Sequence, residues 1–271
     1  MFKSISFVLK ENFNNLFRIY SIAKYEILSD TRDSKLGLLW NILNPLIQIL
    51  TYWFAFGFGI RSGKPVNGIE FINWMLSGLV VWFFISPSIT QGVSSIHSKA
   101  NVITKMKFPV SILPTTIVVK EVFNHLFMLL IVYIFILFNG VKPNVHNFQI
   151  IYYMICAICF SISMAMITSV LNMFTRDVKK MVNACMRMLL YATPILWTMD
   201  NLPTWAQTIM KCNPIYYIVE GYRDSFFYHE GILGTTSNIN ETIFFWGVIV
   251  VMFIIGSNLL YKFKHKFIDL I

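Results

Sequence analysis

Asn41, Asn44, Gln48 and Thr51 recur every three or four residues inside Leu36–Ile60, a run of 25 residues without a charge. That spacing places them on one helix face, where in lipid each amide or hydroxyl must meet protein, water or a ligand. The chemistry on offer is hydrogen bonding rather than bond making, and both a helix contact face and a polar transport path fit the pattern. A second concentration lies in the run that follows Pro114, where Lys120, Glu121, Asn124 and His125 crowd the first turns. Glu121 and His125 stand four apart on one face. Lys120 sits only about 9 Å above Pro114 at 1.5 Å per residue, so its ammonium is expected to snorkel to the interface.

Catalytic arrangements are missing from the pattern. No G-x-x-x-x-G-K-[ST] occurs, and the Gly63-Lys64 pair is followed by Pro65, so the chain is expected not to hydrolyse ATP by itself. There is no G-x-S-x-G, and Glu220, Asp224 and Glu230 form no defensible catalytic pairing with a nucleophile or histidine. The five histidines show no metal-ligand spacing. Cys156-Ala-Ile-Cys159 matches C-x-x-C but lies within an apolar run, which reads as buried thiols. No catalytic residue, metal or cofactor is expected in this chain.

The elements that must position these residues follow from composition. Of 271 residues, 56% are hydrophobic and 13% charged, far below the roughly 25% charged residues of a soluble domain, which predicts an all-α integral membrane protein. The net charge of +9 comes in short clusters between apolar runs and never along one soluble face, which argues against nucleic acid as a partner. Lys3, Lys10, Glu11 and Asn12–Asn15 interrupt any signal-peptide core, so insertion by internal segments is expected.

Residues 1–35 are expected to form an amphipathic helix along the membrane surface, with Ile5, Val8, Leu9, Phe13, Leu16, Phe17, Tyr20, Ala23 and Ile27 at helical spacing among basic residues. Residues 36–271 then form one membrane domain. Its expected spans are Leu36–Ile60, kinked by Pro45, then Phe71–Ile89, Thr115–Phe138, Phe148–Phe174, Met181–Trp197 and Ile243–Tyr261. In the fourth, Ser161, Ala165, Thr168 and Asn172 make a small polar face suited to close helix packing. Between spans two and three, Ser98–Pro114 combines Lys99, Lys105 and Lys107 with apolar Met106 and Phe108, which predicts a short cytoplasmic helix stopped at Pro109. Trp205–Tyr228 reads as short helices dipping into the outer leaflet, because six crossings leave the basic tail Lys262–Lys266 inside. Sixteen of the 22 lysines and arginines fall on the inner side of this map, so both termini are expected in the cytoplasm.

Arg32-Asp-Ser-Lys-Leu-Gly-Leu-Leu-Trp40 with Asn44-Pro45, Lys105-Met-Lys-Phe-Pro109 with Ile112-Leu-Pro114, and Asn213-Pro214 followed by Tyr222-Arg223 together resemble the ABC-2 type permeases that export polysaccharides and teichoic acids. Within that family the likeness is greatest to the exporters of wall teichoic acid in Gram-positive bacteria, and it runs essentially end to end. Met106 and Val110 depart from many members, which often carry a charged or different residue there.

The resemblance implies a bacterial plasma-membrane complex of two copies of this permease and two separate ATPase subunits, the latter binding ATP and magnesium. It implies a polymer substrate carried on a polyprenyl pyrophosphate lipid. On that basis Lys105, Met106, Lys107, Phe108 and Pro109 are expected to dock into the ATPase. Arg32, Lys35, Arg176 and Arg187 become candidates for the pyrophosphate head, since guanidinium groups bind phosphate oxygens bidentately. Asn41, Asn44, Gln48 and Tyr52 become candidates for the polymer's path. Two alternatives remain open: an ABC-2 exporter of a drug or another lipid, and an ATPase-independent secondary transporter, for which Glu121 is the one intramembrane carboxylate.

Overall fold

The computed structural model describes residues 2–32, 37–60, 64–100, 108–228 and 239–264. Among these residues there is no β-strand beyond an isolated bridge between Val66 and Ile69. The two residues inside that bridge, Asn67 and Gly68, both have positive φ, 47° and 81°, as a tight reversal of this kind requires. Everything else regular is helical. The helices are α1 (Phe2–Asn14), α2 (Leu16–Arg32), α3 (Trp40–Tyr52), α4 (Phe71–Gly92), α5 (Ser95–Ser98) and α6 (Ile112–Phe138). They continue with α7 (Gln149–Phe174), α8 (Asp177–Ala192), α9 (Thr204–Lys211), α10 (Pro214–Arg223) and α11 (Ile239–Phe263).

Five segments of the described residues are long and apolar enough to cross a membrane: Trp40–Ile60, Phe71–Gly92, Ile112–Phe138, Val145–Phe174 and Ile239–Phe263. The fifth expected crossing, Met181–Trp197, is not among them: most of it falls on α8, a 16-residue helix that ends at Ala192, where Thr193 turns extended and Pro194 withholds its N–H. Trp205–Tyr228 holds two short helices, α9 and α10, the second continuing as a wide-turned segment Asp224–Tyr228. Neither alone matches the roughly 20 residues a crossing needs. Asn213 caps α10 by accepting the Ile215 N–H (3.0 Å), and Pro214 occupies the first turn, where no N–H is required.

The centre of the bundle is α4, packed against α6, α7, α8 and α10. Of its apolar stretch 78% is buried, against 6% for Trp40–Ile60, so the first crossing stands at the rim of the bundle. Small residues set the close approaches. Ser161, Ala165, Thr168 and Asn172 are all buried, as expected of a packing face. A Cβ added at Gly92 would stand 2.7 Å from Ala165 Cβ, and one at Gly256 would stand 3.0 Å from Met166 Cβ. A ladder of polar contacts ties α7, α10 and α11 together: Tyr217 Oη lies 3.0 Å from Thr242 Oγ1 and 3.2 Å from Tyr152 Oη, which accepts from Trp246 Nε1 at 2.9 Å.

Two boundaries differ from expectation for local reasons. The single surface helix expected over residues 1–35 is two helices broken near Asn15. Asn12 and Asn15 turn their amides back onto the carbonyls of Val8 (2.9 Å) and Glu11 (2.7 Å), which competes with helix propagation. The third span begins at Ile112 rather than Thr115, because Pro114 falls in the first helical turn and is tolerated there.

Candidate functional site

A cavity of about 360 Å³ opens among α2, α3, α4 and α6. From α3 it takes Trp40, Asn41, Asn44 and Gln48, which follow one another along the helix face as their spacing requires. From α4 come Trp82, Phe83, Thr90 and Gln91, near the end where α4 gives way to α5. From α6 come Lys120, Glu121, Asn124 and His125. Three of the four path residues are thus gathered with the ionisable cluster of the third crossing into one concavity. Tyr52 is not part of it, pairing instead with the Tyr191 hydroxyl of α8.

The expectation that Lys120 snorkels to the interface is not met. Lys120 is 7% exposed and Glu121 4%, and the Lys120 ammonium donates to Gln91 Oε1 at 3.2 Å. Asn124 Nδ2 donates to Glu121 Oε2 at 3.1 Å. The amide of Gln91 on α4 takes the ammonium, because α6 packs along α4. Thr90 and Gln91 were missed because they fall just beyond the expected end of the second span at Ile89, and Trp82 because it stands among the aromatic residues of an apolar run. Lys120, Glu121 and His125 had a signal, since ionisable groups at membrane depth are costly and mark functional sites by default.

His125 links this cavity to α10. Its Nε2 lies 2.8 Å from Tyr222 Oη, and its ring lies 5.0 Å from that of Phe84. The next residue, Arg223, faces a second and smaller cavity of about 130 Å³, lined also by Trp74, Trp197, Asp200, Tyr216, Glu220 and Tyr228. The hydroxyl of Tyr228 accepts from Asn67 at 3.3 Å, and burial raises its pKa above the ordinary tyrosine value, so it stays protonated. Arg223 is fully buried. Its Nη1 donates to Pro194 O (2.9 Å) and Glu220 Oε1 (2.6 Å), its Nη2 donates to Ile195 O (2.9 Å), and its Cζ lies 3.5 Å from the Trp74 ring centroid. Helix α10 therefore stands between the two cavities, with Tyr222 on one and Arg223 on the other. Sequence reasoning counted Arg223 as an outer positive charge and as part of the Tyr222-Arg223 likeness, and gave it no place at a site.

The residues expected to dock an ATPase are only partly placed. Lys105, Met106 and Lys107 lie outside the described residues. Phe108 and Pro109 are half-buried, and Phe108 packs against a cluster built on Val8, Ile96 and Leu113, with the Arg18 guanidinium 5.9 Å from its ring centroid. Lys99 pairs with Glu26 at 2.8 Å, and the Ser111 hydroxyl bonds Glu11. The two N-terminal helices are thereby fastened to both ends of the loop. Phe108 serves a seam within the chain rather than standing free.

Of the phosphate candidates, only Arg176 and Arg187 have described side chains, and these two are not brought together. Lys35 and the side chain of Arg32 lie outside the described residues. Arg176 and Arg187 are exposed, roughly 16 Å apart along the start and body of α8. Among the described residues no group of three or more His, Cys, Asp or Glu side chains could hold a metal ion.

A family profile described as ABC-2 type transporter matches residues 18–227. The chain is also similar to the O-antigen export system permease protein RfbA of Klebsiella pneumoniae, 26% identical over 98% of this chain and 100% of that protein. It is 26% identical to the RfbA protein of Myxococcus xanthus over 78% of this chain and 81% of that one. The polysialic acid transport protein KpsM of Escherichia coli is 22% identical over 70% and 74%, respectively.

Proposed function

This chain belongs to the ABC-2 type transporter family, and from that premise we propose that it is the membrane subunit of an ATP-driven exporter of a lipid-linked polysaccharide or teichoic acid. The observation that carries the reading is the polar cavity walled by Asn41, Asn44 and Gln48 beside the buried Lys120 and Glu121. Such groups are retained at membrane depth for a cargo that needs hydrogen bonds. The names of the relatives, O-antigen and polysialic acid exporters, support a polysaccharide cargo. The likeness of Arg32–Trp40 and Lys105–Pro114 to wall teichoic acid exporters supports a polymer on a polyprenyl pyrophosphate carrier, wall teichoic acid being the specific cargo we propose.

The energy comes from a partner ATPase in this reading, with two copies of each subunit, both termini of the permease in the cytoplasm, and α8 completed through Trp197 as a sixth crossing. The rim position of Trp40–Ile60 and the exposed α8 residues Met181, Arg187 and Met188 support a second copy lying against that side. The polymer would pass between the copies. Lys105–Pro109 receives the push of ATPase closure, and the seam of Phe108, Arg18, Lys99 and Glu26 passes it to α2 and α6.

Two measurements test this reading. Tagged permease purified from its native membrane is expected to bring a P-loop ATPase with it. Phe108→Asp is expected to lower that recovery more than tenfold while the permease still inserts, and undiminished recovery removes the loop from the coupling role. Asn44→Leu combined with Gln48→Leu is expected to lower surface polymer at least tenfold at equal permease abundance. Unchanged export reduces that face to helix packing.

A further inference from the structure

We infer that the cavity beside Lys120 binds a saccharide ring of the cargo, inside a single permease subunit and not only between two copies. The inference rests on the exporter reading above and adds the chemistry of the ligand at this site. Asn41, Asn44, Gln48, Gln91 and Asn124 each present both an N–H donor and a carbonyl acceptor. A sugar hydroxyl is likewise donor and acceptor at once, so an amide-lined wall matches it in either sense.

Lys120 and Glu121 add a strong donor and a strong acceptor at the cavity wall, both more than nine-tenths buried. Their charges oppose, so the site as a whole does not select an anion. A phosphate drawn to Lys120 would meet the neighbouring Glu121 carboxylate, whereas a polyhydroxyl ring can use both. Trp40 and Trp82 supply flat apolar surface for the C–H faces of such a ring. A volume of about 360 Å³ falls in the lower part of the range for small-molecule sites, the size of a short saccharide and not of a polymer. Ile27 of the amphipathic α2 also lines the cavity, so it opens beside the helix expected to lie along the membrane surface.

The test places a photoreactive benzoylphenylalanine at Phe83 or, separately, at Gln91 in the intact exporter in cells. A third variant carries it at Ile151, which is 53% exposed on α7 and does not line the cavity. After irradiation the permease is purified, and attached polymer is read by periodate oxidation and hydrazide labelling. The expected result is at least fivefold more saccharide adduct at positions 83 and 91 than at 151, with the excess lost when Asn44→Leu is added. Permease-dependent export with adduct at 83 and 91 no higher than at 151 overturns the inference and leaves the exporter reading standing. If deleting the permease changes no surface polysaccharide or teichoic acid, the exporter reading falls and the saccharide assignment falls with it.

Discussion

Arg223→Ala is expected to abolish export and to strip most of the protein from the membrane. The guanidinium is fully buried and satisfies the carbonyls of Pro194 and Ile195, the Glu220 carboxylate and the Trp74 ring at once. Removing one member of a buried charged network costs about 3–5 kcal/mol, because the partners left behind stay desolvated and unpaired. That is a large part of a typical total stability of about 5–15 kcal/mol. Arg223→Lys is expected to recover little, since an ammonium cannot reach two carbonyls and a carboxylate through a planar fork. A Trp74 site is also lost as a stacking surface. Permease abundance in washed membranes and the detergent-solubilised melting temperature measure this directly. Wild-type abundance and melting in Arg223→Ala would show that the turn after α8 is held by something else.

Gly221→Ala, one methyl group added two residues earlier, is expected to be nearly as damaging. The new Cβ would lie 2.1 Å from Tyr153 Cε1 and within 2.4 Å of two more atoms of that ring. Tyr153 cannot swing away: it is 1% exposed and wedged between Tyr152 and Tyr217, with ring centroids 5.1 Å and 5.7 Å away. Forced overpacking typically costs about 1–3 kcal/mol, and a contact this short lies at or above the top of that range. The check is a double-mutant cycle. Tyr153→Leu added to Gly221→Ala is expected to restore part of the melting temperature that Gly221→Ala removes, with a coupling well outside additivity. Strictly additive losses would mean that Tyr153 is not what excludes the methyl.

Both substitutions fall on α10, and together they explain why so short a helix is held so firmly. It lies between the cavity that ends at His125–Tyr222 and the pocket that begins at Arg223–Trp74.

Much of this architecture was legible in the chain because lipid leaves a sequence few options. A backbone in hydrocarbon must satisfy its own hydrogen bonds, so apolar runs of about 20 residues become helices wherever they occur. That constraint made the first, second, fourth and last crossings readable to within a few residues, and it made Asn41, Asn44 and Gln48 one face. It also made Ser161, Ala165, Thr168 and Asn172 readable as a packing surface. The cap that Asn213 and Pro214 give the start of α10 was not read from the sequence, where the pair served only as part of the family likeness. Where local preferences competed, reading the sequence was harder: the asparagines that split the N-terminal helix act through side-chain bonds to Val8 and Glu11 that helical periodicity does not register.

By itself, then, the sequence determined the helical class, the major crossings, the missing catalytic motifs and the polar face of the first span. Each depends on the order of residues along a single segment. Only the tertiary structure decided where Lys120 and Arg223 went. A lysine about 9 Å into a membrane can extend to water or meet a partner, and the choice here depends on Gln91, 29 positions away and brought within 3.2 Å by the packing of α6 on α4. An arginine counted as an outer charge became fully buried because the turn after α8 presents two carbonyls to it and Gly78 leaves the space, its would-be Cβ lying 3.0 Å from Arg223 Nη2. Long polar side chains have reach enough to choose among neighbours, and the neighbours are set by packing across the bundle, which no single segment encodes.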